Sequence, residues 1–349
     1  MMKMKSRILV TGAAGFIGAA LMRRLASRGD EVLGLDEIND YYDVSLKHGR
    51  LAVNGFEGPF GYGVMKTGSI YPGSRFVRMS ICDKEALDAL FSSERFDKVV
   101  NLAAQAGVRY SITNPYAYLR SNLEGFLNIL EACRNHGTPQ LVYASSSSVY
   151  GLNSKVPFSE ADKADTPVSL YGATKKANEL MAHSYSKLYG MATTGLRFFT
   201  VYGPWGRPDM SPMLFASAIM EGRPIKVFNN GDMIRDFTYI DDIVEGTLRV
   251  IDNPPEASRC PDGVPAKVYN IGCSSPVRLM DFIRELEEAC GKTAEKVFLP
   301  MQQGDVYQTY ADCTALQEEL SYKPSTSLHE GIGRFMEWYR SDRNPLKKD

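Results

Sequence analysis

Tyr171 and Lys175 have the residue types and the spacing of an acid–base pair. They lie four residues apart in the segment Ser169–Glu179, and residues at i and i+4 share one face of a helix. A phenol with a pKa of about 10 is a poor base at neutral pH, but a nearby positive charge favours the phenolate and lowers that pKa. The pair predicts an acid–base tyrosine beside an activating lysine. Taken alone, the spacing favours an exposed tyrosine next to a solvated lysine, because Tyr-x-x-x-Lys is common by chance.

Three glycines at every third position follow the first apolar run and open a helical pattern. Gly12 permits a tight turn, Gly15 permits close approach of a diphosphate, and Gly18 permits close helix–strand packing. The helix N-terminus offers N–H groups to the phosphates. A second strand ends at Asp36, which can accept the adenosine ribose hydroxyls. Since Glu37 follows, a 2′-phosphate is disfavoured, so the pattern predicts NAD rather than a turn without ligand.

Apolar runs alternate with helical patterns through the first half of the chain. Such alternation predicts an α/β fold with a doubly wound, parallel Rossmann sheet. The predicted strands are Arg7–Thr11, Glu31–Leu35, Arg75–Arg78, Lys98–Leu102, Leu141–Ala144 and Thr193–Arg197, and the predicted helices are 16–28, 84–94, 116–136 and 172–189.

The predicted secondary-structure pattern changes after about residue 203, where short helices and short strands follow one another. Helices are predicted near 212–221, 241–252, 279–290 and 328–341. We expect residues 1–202 to form mainly the dinucleotide-binding domain. Residues 203–349 form mainly a smaller C-terminal α/β lobe for substrate, with some chain crossing between the two.

Residues 54–74 break the strand–helix rhythm. They contain six glycines and two prolines and show no clear periodicity. We predict a long surface loop, for which disorder is the simpler interpretation and a lid or interface the alternative.

The composition of the chain limits the classes of partner and ligand that we expect. The 349 residues carry a net charge of −1, which does not favour a nucleic-acid or membrane partner. No apolar segment has signal-peptide or membrane-spanning length. The six cysteines are scattered and the four histidines show no metal-ligand spacing, so we expect reduced thiols, no metal site and a cytoplasmic location.

The glycine turn and the Tyr-x-x-x-Lys pair together resemble the extended short-chain dehydrogenase/reductase superfamily. Within it, longer segments are similar to the UDP-glucuronate 4-epimerase branch. These are Asn39–Val44, Ala104–Ser111, Ser145–Gly151, Phe198–Met210 and Arg235–Asp242.

The resemblance implies a set of contacts to NAD that extends beyond the glycine turn. Asp83 would meet the adenine, and the residues after the fourth strand would lie along the cofactor. The full implied set is Gly12, Ala14, Gly15, Phe16, Ile17, Gly18, Asp36, Asp83, Leu102, Ala103, Ala104, Asn122, Tyr171 and Lys175. NAD would stay tightly bound, because it is regenerated in every cycle.

The resemblance also implies the chemistry. Tyr171 would take the proton from the sugar C4 hydroxyl while hydride moves to NAD, and the 4-keto sugar would turn over before hydride returns. Lys175 would hold Tyr171 ionised, and Ser146 would bridge the substrate O4 and Tyr171. Ser147, Ser148 and Thr200 suit the substrate carboxylate. Related decarboxylases and dehydratases carry an acid where this chain has Ser148.

The resemblance implies five further residues in contact with a UDP-uronic acid. Arg235 is expected at the diphosphate and Arg207 at the carboxylate, while Arg109 could serve either, since a guanidinium binds two oxygens at once. Asp305 would meet the uridine ribose. Phe228 either stacks on uracil or is a buried strand aromatic.

Helices 116–136 and 172–189 usually form the dimer interface in this superfamily, so we expect a homodimer. Their apolar residues could equally face the chain's own sheet: Phe126, Ile129, Leu130, Leu180, Met181 and Leu188. Three other functions remain open, namely a 4-epimerase of a neutral UDP-hexose, a UDP-glucuronate decarboxylase and a non-catalytic NAD-binding sensor.

Overall fold

The computed structural model describes residues 5–302 and 304–347. The strands are β1 (Arg7–Thr11), β2 (Glu31–Asp36), β3 (Met65–Thr67), β4 (Ser74–Arg78), β5 (Lys98–Asn101), β6 (Gln140–Ser146), β7 (Ala192–Phe198), β8 (Thr200–Tyr202), β9 (Ile225–Val227), β10 (Ile234–Tyr239), β11 (Ala266–Ile271), β12 (Pro276–Arg278) and β13 (Lys296–Phe298). The helices are α1 (Phe16–Ser27), α2 (Val44–Val53), α3 (Lys84–Glu94), α4 (Tyr110–Thr113), α5 (Pro115–Tyr118), α6 (Gly125–Asn135), α7 (Leu170–Tyr189), α8 (Ser211–Met220), α9 (Ile240–Asp252), α10 (Leu279–Cys290), α11 (Thr314–Leu320) and α12 (Leu328–Arg340).

Eight strands form the main sheet in the order β11-β7-β6-β5-β1-β2-β4-β3. All neighbours are parallel except β3, which runs antiparallel to β4. The predicted doubly wound Rossmann fold is therefore confirmed. Because the strands are parallel, the carboxyl ends of β1, β2, β5, β6 and β7 meet at one edge, where ligands bind in such sheets.

Successive strand residues point to opposite faces of the sheet, which gives two cores. On β1, Ile8 and Val10 join the core beneath α1 and α9, whereas Leu9 joins the core beneath α3, α6 and α7. All three side chains are fully buried. Both faces are thus covered by helices, as the continuously apolar strands predict.

The smaller lobe contains two short sheets, ordered β12-β10-β8 and β13-β9. Strand β8 follows β7 after a single residue and pairs with β10, so the chain changes sheet at Phe199. Strand β11 returns to the main sheet beside β7. The division near residue 202 stays a prediction, and β11 lies across it.

The long helix predicted over 116–136 is interrupted. Residues Leu119–Glu124 form a π-helical turn between α5 and α6. The widened turn frees the backbone carbonyl of Asn122, which accepts a hydrogen bond from the Asn178 side chain at 2.6 Å. Helix α2 was not predicted, because its buried face includes the basic residues Lys47 and Arg50 besides two leucines, which hides the apolar periodicity.

The prediction of a disordered loop over 54–74 is wrong. The segment contributes β3 to the edge of the main sheet. Phe56 and Phe60 are buried and pack on Phe76 with ring centroids 5.8 and 5.3 Å away. Two buried aromatic side chains supply the apolar contact that fixes a glycine-rich segment.

Within the described ranges, none of the helices combines the length and the apolar character needed to span a bilayer. The six cysteine thiols are free.

Candidate active site

One cavity of about 380 Å³ runs along the carboxyl edge of the main sheet. Its walls at one end come from Asp36 and the segment Ser80–Cys82, and at the other end from Tyr171, Thr200 and Arg207. Sixteen predicted site residues line it together: Gly12, Gly15, Phe16, Ile17, Gly18, Asp36, Leu102, Ala103, Ala104, Ser146, Ser147, Ser148, Tyr171, Lys175, Thr200 and Arg207.

The glycine turn is shaped by contacts that exclude larger residues. Gly12 has φ +70°, and a Cβ there would lie 2.8 Å from the backbone nitrogen of Ala103. A Cβ on Gly18 would lie 2.0 Å from the carbonyl oxygen of Gly12. Helix α1 begins after Gly15 without a side-chain cap, so its first N–H groups are free to meet a phosphate.

Asp36 ends β2 and closes this half of the cavity. Its carboxylate accepts hydrogen bonds from the backbone of Ala14 at 3.0 Å and of Ile38 at 2.8 Å. Ala14 thus lies behind the wall and braces Asp36. Lys47 lines the cavity nearby and donates to the side chain and carbonyl of Asn39. Burial lowers the pKa of Lys47, with Asp36 opposing.

Tyr171 and Lys175 both project from α7 into the cavity. The Lys175 ammonium donates to the carbonyl of Ala144 on β6 at 2.9 Å, and burial lowers its pKa to about 8. The expected lowering of the Tyr171 pKa is not what the structure gives. Burial raises that pKa, while a hydrogen bond with Ser146 and the charge of Arg207 oppose the rise.

Arg207 is the fixed positive charge at the Tyr171 end of the cavity. Its guanidinium forks onto Asp209, with Nε 3.1 Å from the carboxylate, and Asp209 accepts the Tyr41 hydroxyl at 3.2 Å. Burial raises the pKa of Tyr41 to about 12, and Asp209 adds to this. Tyr41 therefore stays a neutral donor, and Asp209 holds Arg207 in one orientation.

The cavity wall near Tyr171 is rich in hydroxyls. Ser146 caps the turn after β6 by accepting the Ser148 N–H at 3.1 Å, so Ser147 and Ser148 turn into the cavity beside Thr200. Among the described residues, the acids that line the cavity are Asp36 and Glu37, at the other end. The Tyr171 end thus offers neutral donors and the two cations Lys175 and Arg207 to a bound anion.

Arg109, Phe228, Arg235 and Asp305 gather outside this cavity and are called here the arginine cluster. Arg109 lies 3.3 Å from Asp305 and stacks over the Phe228 ring at 5.2 Å. The cluster adjoins the cavity through Val108, which lines the cavity and precedes Arg109 in the chain.

Within the arginine cluster, Arg235 is held by backbone carbonyls. It donates to the carbonyls of Val306 at 2.8 Å and Tyr307 at 3.0 Å. Burial lowers its pKa and Asp305 opposes that shift. A guanidinium held by neutral carbonyls retains its charge for an anionic ligand.

Two predicted cofactor residues brace the cavity from behind. Asp83 caps α3 through the Ala86 N–H and accepts the Tyr62 hydroxyl at 2.7 Å. The Asn122 amide bonds the backbone of Gln105 and the hydroxyl of Thr174. Neither lines the cavity, so their predicted contacts with NAD stay predictions.

Tyr41, Lys47 and Asp209 were not singled out from the sequence. Tyr41 and Asp209 do lie in the segments 39–44 and 198–210 whose resemblance was noted. Those segments were the available signal, but a sequence does not say which members of a motif meet across 168 residues.

Comparison with known proteins agrees with this geometry. The chain matches the NAD dependent epimerase/dehydratase family over residues 8–272. It is 48% identical over 352 residues to UDP-glucuronate 4-epimerase 4 of Arabidopsis thaliana, covering 98% of this chain and 77% of that one. It is 46% identical to the probable UDP-glucuronate 4-epimerase of Rhizobium meliloti (strain 1021), covering 95% and 96%.

A solved structure has the same fold. The crystal structure of UDP-glucuronic acid 4-epimerase from Bacillus cereus, in complex with UDP-glucuronic acid and NAD, superposes with a TM-score of 0.83 at 33% identity, covering 95% of this chain and 98% of that one. The chain belongs to the NAD dependent epimerase/dehydratase family.

Proposed function

We propose that this protein is an NAD-dependent UDP-glucuronate 4-epimerase that interconverts UDP-glucuronate and UDP-galacturonate through a 4-keto intermediate. One observation carries the proposal. A single cavity joins the glycine turn to an end where Tyr171 and Ser146 face Arg207 among hydroxyl groups. Relatives of the same name at 46–48% identity support it.

The residues of the chain divide the proton chemistry between them. NAD, held at Gly12, Gly15 and Gly18, would supply the hydride acceptor and donor for C4. Tyr171 removes the C4 hydroxyl proton, with Ser146 hydrogen-bonded to its phenol. The hydrogen bond with Ser146 and the positive charge of Arg207 favour the phenolate against the effect of burial. When hydride has returned to C4, Tyr171 gives the proton back to the oxygen on C4, whose configuration is now inverted.

The same residues keep the sugar acid intact. A 4-keto uronate is a β-keto acid and loses CO₂ readily. Arg207, Ser147, Ser148 and Thr200 supply donors to the carboxylate, and these bonds are lost when CO₂ forms, so they raise the barrier to decarboxylation. The hydroxyl at Ser148, where related decarboxylases carry an acid, favours epimerisation.

The direct test follows purified protein and UDP-glucuronate by proton NMR. We expect UDP-galacturonate to accumulate to a fixed ratio without added NAD. A UDP-pentose with released CO₂ would instead identify the decarboxylase. Turnover of UDP-glucose alone would identify the neutral-hexose epimerase, and no turnover with either sugar would leave the NAD-binding sensor.

We further propose a homodimer formed through α6 and α7. Phe126, Ile129 and Leu130 are buried in the chain's own core and are not available to a partner. Leu180 and Leu188, 60% and 69% exposed, form an apolar stripe on α7. Leu180→Glu with Leu188→Glu should convert the protein to a monomer in light scattering. Leu152→Glu, also at an exposed leucine, is the control.

The free thiols support a reducing compartment, and we propose a cytoplasmic location. Fractionation of cells that express the tagged chain should place it with cytosolic markers. Recovery with membrane markers would contradict this.

A further inference from the structure

A buried arginine connects the two ends of the cavity from behind. Arg50 on α2 is 2% exposed. Its Nη1 donates to the carbonyl of Ala14 in the glycine turn at 3.1 Å. Its Nη2 donates to the carbonyls of Trp205 at 2.7 Å and Gly206 at 3.4 Å. One side chain thus links the glycine turn to the loop that leads directly into Arg207.

The guanidinium of Arg50 has no carboxylate partner among the described residues. Besides the carbonyls, it donates to the Tyr42 hydroxyl at 2.6 Å and lies 5.4 Å from that ring. Buried charges are normally paired, because desolvation of an unpaired ion is costly. The glycine turn that Arg50 braces is the proposed seat of the cofactor diphosphate, whose negative charge would balance it.

The loop held by Arg50 needs that support. Trp205 has φ +66°, in the left-handed region that a non-glycine residue adopts only when its surroundings impose it. Nε and Nη2 of Arg50 both donate to the Trp205 carbonyl. The Trp205 indole covers Gly49, where a Cβ would lie 2.6 Å from the ring. Contact with α2 therefore fixes the backbone two residues before Arg207.

We propose that Arg50 is a positioning residue that couples occupation of the glycine turn by the dinucleotide to recognition of the sugar carboxylate by Arg207. The diphosphate stabilises the Arg50 charge, and Arg50 in turn holds the Trp205–Gly206 backbone in the conformation that presents Arg207. The uronate half of this inference rests on the proposed function.

The test compares UDP-glucuronate with UDP-glucose, which differ only in carboxylate against hydroxymethyl at C6. Both are titrated calorimetrically into holoenzyme carrying Tyr171→Phe, which removes turnover, with and without Arg50→Gln. We expect Arg50→Gln to lower the preference for UDP-glucuronate at least about fivefold, the scale of site-to-site coupling. NAD retained after gel filtration, read from the nucleotide absorbance, should fall as well.

Two further variants separate positioning from general stability. Arg249→Gln removes an arginine on α9 that also donates to two carbonyls, of Leu320 and Ser321. It should change the melting temperature alone. Arg50→Lys keeps the charge but not the fork, so NAD should be retained while uronate preference falls. It also provides the answer if Arg50→Gln does not fold.

Three outcomes overturn the inference. Unchanged uronate preference in Arg50→Gln or Arg50→Lys removes the link to Arg207. Unchanged NAD retention in Arg50→Gln removes the link to the glycine turn. If the parent protein itself shows no preference for UDP-glucuronate, the proposed function fails and the coupling fails with it, whereas a preference that persists in the Arg50 variants refutes the coupling alone.

Discussion

The glycine-turn end of the cavity and the arginine cluster are built differently, although we propose that each holds a phosphate-bearing ligand. At the glycine turn, backbone N–H groups of one strand–turn–helix unit face the cavity, and Gly12, Gly15 and Gly18 come from a single segment. The arginine cluster assembles Arg109 and Arg235 with residues from two further segments. Backbone recognition depends on close packing, whereas side-chain recognition depends on charge, and the two should fail differently when mutated.

The largest effect is expected between the two regions, at Tyr171. Tyr171→Phe removes the proton acceptor, so kcat should fall by roughly 10²–10⁴, while calorimetric affinities for UDP-glucuronate and NAD stay within about twofold. Tyr189→Phe, at the far end of the same helix, is the matched control. A fall in affinity that accounts for the loss of rate would argue that Tyr171 binds rather than reacts.

Gly18→Ala tests the proposed recognition of the dinucleotide by backbone N–H groups of the closely packed glycine turn. The added methyl would lie 2.0 Å from the Gly12 carbonyl oxygen, so the turn must move. We expect a loss of about 1–3 kcal/mol in the free energy of unfolding together with loss of bound NAD. Gly333→Ala on α12 is the control, because nothing lies within 4 Å of its new Cβ. Equal denaturation midpoints for the two variants would refute the close-packing argument.

Arg235→Met tests the proposed recognition of the substrate diphosphate by charged side chains of the arginine cluster. The fold should persist, because Arg235 is held by the backbone carbonyls of Val306 and Tyr307 and not by a buried carboxylate. KM for UDP-glucuronate should rise roughly 10- to 100-fold, the value of a hydrogen bond to a charged group, with kcat within about twofold. Arg284→Met, at an exposed arginine on α10, should leave steady-state kinetics unchanged. A kcat loss at constant KM would move Arg235 to the chemistry.

The smallest expected effect is in the pH dependence of stability, which distinguishes Lys175, a cation that titrates, from Arg235, a cation that keeps its proton. The pKa of Lys175 is lowered to about 8 from its ordinary 10.5, so between these values the unfolded chain binds more protons than the native one. The contribution of Lys175 to the free energy of unfolding of cofactor-free protein should therefore rise with pH in this window, by on the order of 1 kcal/mol per unit. It is measured as the difference from Lys175→Met, because buried thiols with raised pKa values titrate in the same range and act in the opposite direction. Below pH 8 the cost of the buried charge is fully present. Lys175→Met should remove the rise, whereas Arg235→Met should not, since arginine keeps its proton. Parallel urea titrations of the three proteins at pH 7 to 10.5 would show it.

Contiguous motifs were predictable from the sequence and assembled surfaces were not. The strands from Arg7 to Asp36 and the turn between them followed from periodicity and glycine spacing, because their geometry is local. Asp209 and Arg50 were missed because their roles depend on partners far along the chain, Tyr41 and Trp205. Long-range pairing is decided by tertiary packing, which one sequence does not encode in its spacing.

The direction of the Tyr171 pKa shows a second limit. The spacing of Tyr171 and Lys175 was interpreted through charge alone. Desolvation depends on the whole cavity wall and outweighs charge in the structure. A sequence states which groups can be neighbours but not how much water remains between them.

The short strand β3 has a consequence for the behaviour of this protein in a crowded cell. An open parallel sheet ends in a row of unpaired backbone groups that can template association with another sheet. Here β4 is not left open, because the three residues Met65–Thr67 cover it in the antiparallel sense. An edge strand of three residues, with Lys66 at its centre, offers an incoming strand few backbone groups with which to pair. Residues 54–74 should thus limit association of other sheets with this edge at high protein concentration.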